Sequence, residues 1–372
     1  MNAAEEEHLA QPDEATNTLR VSEGDLVAFT REVLERVEVP PAEAEQTAQV
    51  LVASDRRGIA SHGVARLNYY VTMIQEGFID PRARPEIVRQ SATTALIDAH
   101  NGLGQPVGLW AMTLALEKAA AHDIGLVTTR HSNHYGIAGY YAMMALERDM
   151  IGLSLTNTHP AVAPTRGKRA AYGTNPIAIA VPASGSRSFV LDMATSVVPH
   201  GRLEVADRRG EQLQYGWALD VSGQVTTDTA RALAGALLPL GGAELTSGYK
   251  GYGLALAIEL LCAVLPGATY GPLVTTMWNP GRPSDLGQFF LAINVAAFDE
   301  PASFKARAAD LLQRVKATPL ADGATEILTA GDKEARATDL ARTQGIAVEP
   351  AVARALISLG QRLGVTCPVM YP

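Results

Sequence analysis

An α/β body joined to a helical unit built from both chain ends is the fold the sequence predicts, on three observations. Short β-rich runs alternate with helical stretches between residues 94 and 193, the texture of a sheet layered with helices. Helical periodicity without strands fills the chain from Val21 to about residue 85 and returns from Pro301 onward. At 372 residues the chain also exceeds one ordinary core, so the two textures imply two domains. The expected division is a disordered acidic tail over 1–20, a helical domain from 21–90 with 300–372, and an α/β domain over 91–299.

Composition is that of an ordinary globular protein, 47% hydrophobic and 19% charged, with a net charge of −8. Glu5, Glu6, Glu7, Asp13 and Glu14 carry much of the acidic excess, and nothing in this balance suits a nucleic-acid partner. No uncharged apolar run reaches about 18 residues, and the N-terminus lacks signal-peptide character. A cytoplasmic protein with no membrane partner is expected. Cys262 in an apolar pattern and Cys367 near the end are expected to be free thiols, Cys262 a buried one.

Along the chain, Ser22 followed by Asp25 resembles a capping box, and Leu26, Phe29, Val33, Leu34 and Val37 recur at helical spacing. Pro40-Pro41 stops that helix, and a second covers 42–56 with Ala48, Leu51, Val52 and Asp55 along one stripe. A third opens at Ser61, runs through Leu67, Tyr70 and Ile74, and ends at Gly77. Strands are expected at 94–99, 124–130, 151–157, 177–182 and 189–193, with helices over 107–122 and 137–147. The stretch 251–265 is so continuously apolar that it predicts a buried helix, and 289–295 a further buried strand. Phe304, Ala308, Leu311, Leu312 and Val315, then Val352, Leu356 and Leu359, mark the closing helices.

The most informative segment is Ser61-His62-Gly63-Val64-Ala65-Arg66. An imidazole can give and take a proton near neutral pH, and a guanidinium fork matches a carboxylate. If Ser61 caps the helix, His62 and Arg66 share a face at its positive end. Gly102-Leu103-Gly104-Gln105-Pro106-Val107-Gly108 nearly matches a dinucleotide fingerprint, but the third glycine is late and Pro106 sits where the backbone should meet pyrophosphate. An ordinary strand-to-helix connection explains it better.

His131-Ser132-Asn133-His134-Tyr135-Gly136 follows a predicted strand, where α/β folds bind ligands. Its two histidines lack a nearby third ligand, so no metal is expected. Thr156-Asn157-Thr158-His159-Pro160, Gly173-Thr174-Asn175-Pro176 and Asp192-Met193-Ala194-Thr195-Ser196 also end apolar strands. Singly each reads as a turn; together they suggest a shared crevice. Gly248-Tyr249-Lys250-Gly251-Tyr252-Gly253 offers backbone donors and an ammonium suited to phosphate, or simply a glycine-rich loop with a solvated lysine.

In this order, SHGVAR, HSNHYGIAGYY, TNTHPAVAP, YGTNPIAIAVPA, LDMATS, YGWALD, LLPLGG, GYKGYGLALAIELL and AGDKEAR resemble the type 2 malate/L-lactate dehydrogenase family. That family includes ureidoglycolate, sulfolactate and diketogulonate oxidoreductases and a piperideine-carboxylate reductase. The resemblance implies NAD- or NADP-dependent interconversion of a small 2-oxo acid and a 2-hydroxy acid by a homodimer. It implies a non-Rossmann central mixed-sheet α/β nucleotide-binding domain beside the helical one. His62 would donate the proton to the carbonyl oxygen with Ser61 as its partner, Arg66 would clamp the substrate carboxylate, and Thr174, His200 and Gly201 would line the pocket. Cofactor contacts would fall on His134, Tyr135, Gly136, Ile137, Ala138, Thr158, Asp192, Met193, Ala194, Tyr249, Lys250, Gly331, Asp332, Lys333 and Glu334.

In the ureidoglycolate branch the position of His134 is the proton acceptor, so His62 and His134 both stand as candidates. Arg202 replaces an acidic relay residue of the piperideine-carboxylate branch and matches a basic one of the malate and lactate branch. Two readings stand for it, a reader of a second acidic group on a dicarboxylate and a simple surface arginine. Malate or lactate comes first as substrate, with sulfolactate, ureidoglycolate or a cyclic imino acid behind, and NAD and NADP stay open. The rivals are a nucleotide-binding protein without chemistry and a metal-dependent hydrolase using His131 and His134.

Overall fold

The computed structural model describes residues 18–185, 187–275 and 281–371. In chain order the first elements are β1 (Leu19–Val21), α1 (Glu23–Glu35), α2 (Pro41–Arg56), α3 (Leu67–Gln75), β2 (Glu86–Gln90), β3 (Thr94–Asp98), α4 (Gly104–His122) and β4 (Ile124–Ser132). Then come α5 (Ala138–Met143), β5 (Met150–Thr156), β6 (Ile177–Val181), β7 (Phe189–Met193), α6 (His200–Arg209), β8 (Ala218–Leu219), β9 (Val225–Thr226) and α7 (Thr229–Leu233). The chain closes with β10 (Ala236–Leu237), α8 (Gly248–Glu259), β11 (Leu286–Asn294), α9 (Pro301–Lys316), α10 (Asp332–Gln344), β12 (Ile346–Val348) and α11 (Pro350–Leu363).

The acidic tail expected over 1–20 lies outside the described residues as far as 17, and its end is ordered instead. Leu19–Val21 pairs antiparallel with Ile346–Val348, and Arg20 N donates to Tyr371 O at 2.6 Å. This tie between the two chain ends gives an isolated three-residue run the partner it needs. One apolar core joins both ends, with Leu26, Phe29, Leu34, Leu51, Leu67 and Tyr70 packed among Ile346, Leu356 and Leu359. Ser22 caps α1 as its spacing predicts, its Oγ accepting from Asp25 N at 3.1 Å.

The large sheet has seven strands in the order β2-β3-β4-β11-β5-β6-β7. Only β3 and β4 run parallel, joined across α4; the other neighbours are antiparallel. The sheet is therefore mixed and not of the doubly wound parallel kind. The edge strand β2, mostly exposed and broken in register between Ile87 and Arg89, carries too weak an apolar alternation to be read from sequence. A second small sheet, β10-β8-β9, is built of two-residue strands and leaves no periodic signal either.

Two expected elements differ. Ser61 opens no α-helix: two single 3₁₀ turns, Ala60–His62 and Val64–Arg66, meet at Gly63 before α3 starts at Leu67. The apolar helix at 251–265 forms as α8 and a π-turn (Leu260–Val264), yet it is only half covered. Leu254, Leu260, Leu261, Val264 and Leu265 are exposed, while Ala255, Ile258, Cys262 and Ala263 pack inward. Among the described residues no helix is long and apolar enough to cross a membrane.

Candidate active site

The segment Ser61–Arg66 is shaped from beneath by Asp55, on the last turn of α2. Asp55 is buried and its Oδ2 accepts Val64 N at 2.8 Å. A Cβ on Gly63 would overlap that carboxyl, so only glycine fits between the two turns. The hinge, not a shared helix face, sets how His62 and Arg66 stand. Ser61 Oγ lies 2.9 Å from His62 Nδ1, and Arg66 Nε donates to Ser61 O at 2.8 Å.

His134 arrives from the loop after β4. Its ring stacks on His62 with centroids 5.6 Å apart and planes at 25°. Burial pushes the Tyr70 phenol well above its ordinary range, so it keeps its proton, and its oxygen lies 2.5 Å from His134 Nδ1. His159, at the end of β5, completes the cluster. Burial pushes His62 down to about 4, and the Arg66 charge adds to the drop. His159 is likewise pushed down to about 4 by burial, then by His200 and Arg66. His134 is driven well below the imidazole range by burial, then by His62, Arg66 and His159. Four imidazoles and a guanidinium thus feel one another in one cluster, in which His62, His134 and His159 are neutral near pH 7 and Arg66 carries the positive charge. Sequence reading treated His159 only as part of a turn. Its position at a strand end was the available signal.

The loops that carry Thr158 and Thr174 are tied to each other by hydrogen bonds. Thr174 N donates to Thr158 Oγ1 at 2.9 Å, and Thr158 N to Asn175 Oδ1 at 3.1 Å. Asn175 Nδ2 in turn donates to the buried Glu259 carboxylate at 2.6 Å, which also accepts Gly271 N at 2.7 Å. His200 begins α6 with Nδ1 3.3 Å from Glu204 Oε1, and Gly201 follows it. Arg202 is exposed, as the surface alternative has it, with its guanidinium 5.7 Å from the Trp217 ring centroid. Stacking on an indole supplies that cation with a partner.

Behind His134, Gly136, Ile137 and Ala138 lead into α5, and Gly139 N donates to Asp192 Oδ2 at 2.8 Å. Burial pushes the Asp192 carboxyl up to about 6, opposed by the Gly139 N–H and the Arg57 charge, with Glu334 adding to the rise. Arg57, absent from the sequence-based set, therefore joins Asp192 and Glu334, and its buried Nε has no hydrogen-bond partner among the described residues. Met193 and Ala194 continue from Asp192, half-buried. Tyr249, Lys250 and Lys333 are exposed.

Several expected contacts point elsewhere. The Tyr135 side chain is buried against Tyr141 and its hydroxyl lies 3.0 Å from Ser154 Oγ, so only its backbone faces the loop. Asp332 is also buried, accepting Thr329 N and the Lys316 ammonium at 2.7 Å each, while Gly331 precedes it as a left-handed cap. His131 faces away from His134, its Nδ1 2.9 Å from the Asp98 carboxylate. Among the described residues no group of three ligating side chains could hold a metal. The Gly102 loop packs on protein: a Cβ on Gly104 would overlap the carbonyls of Asn133 and His134. Close packing, not a pyrophosphate, is why glycine stands there.

Comparison with known proteins gives a consistent answer. The family model described as malate/L-lactate dehydrogenase matches residues 21–357. A malate dehydrogenase of Pyrococcus abyssi is 42% identical over 94% of this chain and 96% of its own length. An L-sulfolactate dehydrogenase of Methanocaldococcus jannaschii is 42% identical over 90% and 94%. The structure of malate dehydrogenase from Pyrococcus horikoshii superposes with a TM-score of 0.88 at 39% identity, covering 96% of this chain and 99% of that one. The chain belongs to the malate/L-lactate dehydrogenase family, a family of hydroxy-acid oxidoreductases that implies a nicotinamide cofactor.

Proposed function

We propose that the chain interconverts a dianionic 2-hydroxy acid, malate or sulfolactate, with its 2-oxo acid. The observation that carries this reading is the cluster in which the His134 ring stacks on His62, Arg66 is tied to Ser61 O beside it, and His159 and His200 lie close enough to feel the same charges. Arg66 binds the carboxylate next to the reacting carbon, and the N–H groups of the neutral imidazoles beside it can donate to a second anionic group. Lactate has no such group, so it falls behind. Arg202, stacked on Trp217, loses the part of second-anion reader to His159 and His200.

In oxidation, neutral His62 takes the hydroxyl proton, with Ser61 holding Nδ1 so that Nε2 does the work. In reduction the same nitrogen returns a proton to the oxygen as negative charge develops there. His134, with Nδ1 occupied by Tyr70, flanks the reacting centre and is the second candidate for that proton. When bound, NAD or NADP accepts or supplies the hydride equivalent of the reaction. Arg57 would hold its pyrophosphate, and the Asp192 and Glu334 carboxylates would accept from ribose hydroxyls. The orphaned Arg57 Nε between two acids fits such a mixed ligand.

A panel of 2-oxo acids tested with NADH and with NADPH checks this. Oxaloacetate or the oxo acid of sulfolactate is expected to exceed pyruvate in kcat/KM by about tenfold or more, one extra anion contact. Cofactor binding without turnover of any acid would leave only the non-catalytic reading.

We further propose a homodimer joined through the exposed apolar face of α8 and its π-turn, where Leu254, Leu260, Leu261, Val264 and Leu265 lie uncovered. Sedimentation is expected to give a dimer for the native chain and a monomer for Leu260→Asp. A monomeric native chain sinks this assignment. The division into a helical domain (21–90, 300–372) and an α/β domain (91–299), and a cytoplasmic location, complete the reading.

A further inference from the structure

The Ser61–Arg66 segment is not a helix start, so some other feature must hold its imidazole and guanidinium in register. The end of α2 supplies two grips on the loop. Ser54 Oγ donates to Ile59 O at 2.8 Å, and Ile59 N donates to Ser54 O at 2.9 Å. One residue on, the Asp55 carboxyl lies flat against the Gly63 Cα and accepts Val64 N at 2.8 Å. The first grip fixes where the loop begins. The second acts at the joint between the turn that carries His62 and the turn that carries Arg66.

We propose that Asp55 is a positioning residue for the reaction, seated against Gly63 so that the two turns hold His62 and Arg66 at the angle catalysis requires. The inference rests on the reading of His62 and Arg66 as the reacting pair. Three observations carry it. Asp55 is only 8% exposed, and its carboxyl accepts from the joint itself and not from a surface group. The fit is mutual, because any side chain at Gly63 would collide with this carboxyl. Val64, whose N–H is held, is itself buried in the helical core, so a shift at the joint cannot be absorbed by a mobile loop.

Desolvation also pushes the Asp55 carboxyl up to about 7 against the pull of the Val64 N–H. Burying a carboxyl at such cost is a poor way to build a core. It is a good way to fix a backbone amide, which a carboxyl or a carboxamide oxygen can accept but a methyl group cannot.

The test is a kinetic cycle on the full-length protein, using the 2-oxo acid and cofactor that the substrate panel identifies, with thermal unfolding of every variant recorded. Asp55→Ala is expected to lower kcat about tenfold or more and to raise KM severalfold, since a displacement near 1 Å costs up to about a hundredfold. Asp55→Asn, which keeps an acceptor oxygen of the same shape, is expected to restore kcat and KM to within about threefold of the native values, a small loss on the scale of one hydrogen bond. Gly63→Ala is expected to match Asp55→Ala, and the double variant to lose no more than the worse single, because both changes break one fit.

Asp55→Ala with native kcat and KM, or Asp55→Asn as damaged as Asp55→Ala, overturns the proposal. Additive losses in the double variant do so as well. Should Asp55→Ala fail to fold, Asp55→Asn and Gly63→Ala still decide. His62→Ala and Arg66→Met run alongside separate the two readings: if they keep native activity, the reacting pair is misassigned. If they lose it while the Asp55 variants do not, the positioning role alone is wrong.

Discussion

Replacing His62 by alanine is expected to lower kcat for the 2-oxo acid by at least about a hundredfold while cofactor affinity stays unchanged, the usual range for a lost general acid–base. In the proposed reaction the imidazole carries the proton, and Ser61 at Nδ1 cannot substitute for it. Its pH behaviour should be unusual. With a folded value of about 4, His62 is already neutral at pH 6, so kcat/KM for oxidation should stay level from pH 8 down to about 5. An unperturbed histidine would instead give an acid limb near about 6.5.

Stability follows the same proton. Between about 4 and 6.5 the unfolded chain binds a proton at this position that the folded chain refuses, so stability falls as pH drops through that window. His62→Ala should therefore unfold with a weaker pH dependence between pH 6.5 and 4 than the native protein, read as thermal midpoints across buffers. Unchanged turnover in His62→Ala would transfer the role to His134, whose own alanine variant would then be the inactive one.

Arg66→Met is expected to raise KM for the acid substrate and lower kcat/KM on the order of a hundredfold, the loss of one charge-assisted contact to a carboxylate. Arg66→Lys should recover only part of this. A lysine retains the charge but neither the planar fork nor the Nε–H that Arg66 gives to Ser61 O at 2.8 Å. Removing this cation also relieves His62, His134 and His159, each of which it holds down. The acid limb of the oxidation profile should accordingly move up in pH in Arg66→Met. A native KM with an unmoved acid limb would remove Arg66 from the substrate pocket.

Much of the architecture was legible because it is written in local patterns. The Ser22 cap, the stop at Pro40-Pro41, the five β-rich runs and the apolar strand at 289–295 all form within a few residues of their expected limits. Failures came where the deciding partner is distant in sequence. The strand Leu19–Val21 exists only because Ile346–Val348 lies beside it. The continuous apolar run of α8 showed hydrophobicity but could not show that half of it stays exposed.

The site divides in the same way. Residue type and position at strand ends nominated His62, Arg66, His134, Thr174 and Asp192, and the family resemblance added His200 and Glu334. His159 and Arg57 were missed. Their importance comes from what they stand beside, the histidine basin and the Asp192–Glu334 pair. Tyr135 and Asp332 were carried along by motif, yet their side chains are spent on packing and on internal ion pairs.

By itself the sequence determined the α/β class, the helical ends, the family and most of the chemical groups, since each depends on short-range periodicity or on residue identity. Only the tertiary structure decided that a buried carboxyl on α2 and the absent side chain of Gly63 bend the Ser61–Arg66 segment into two turns. That joint is a contact between elements, with an energy set by burial and fit, and no spacing along the chain encodes it.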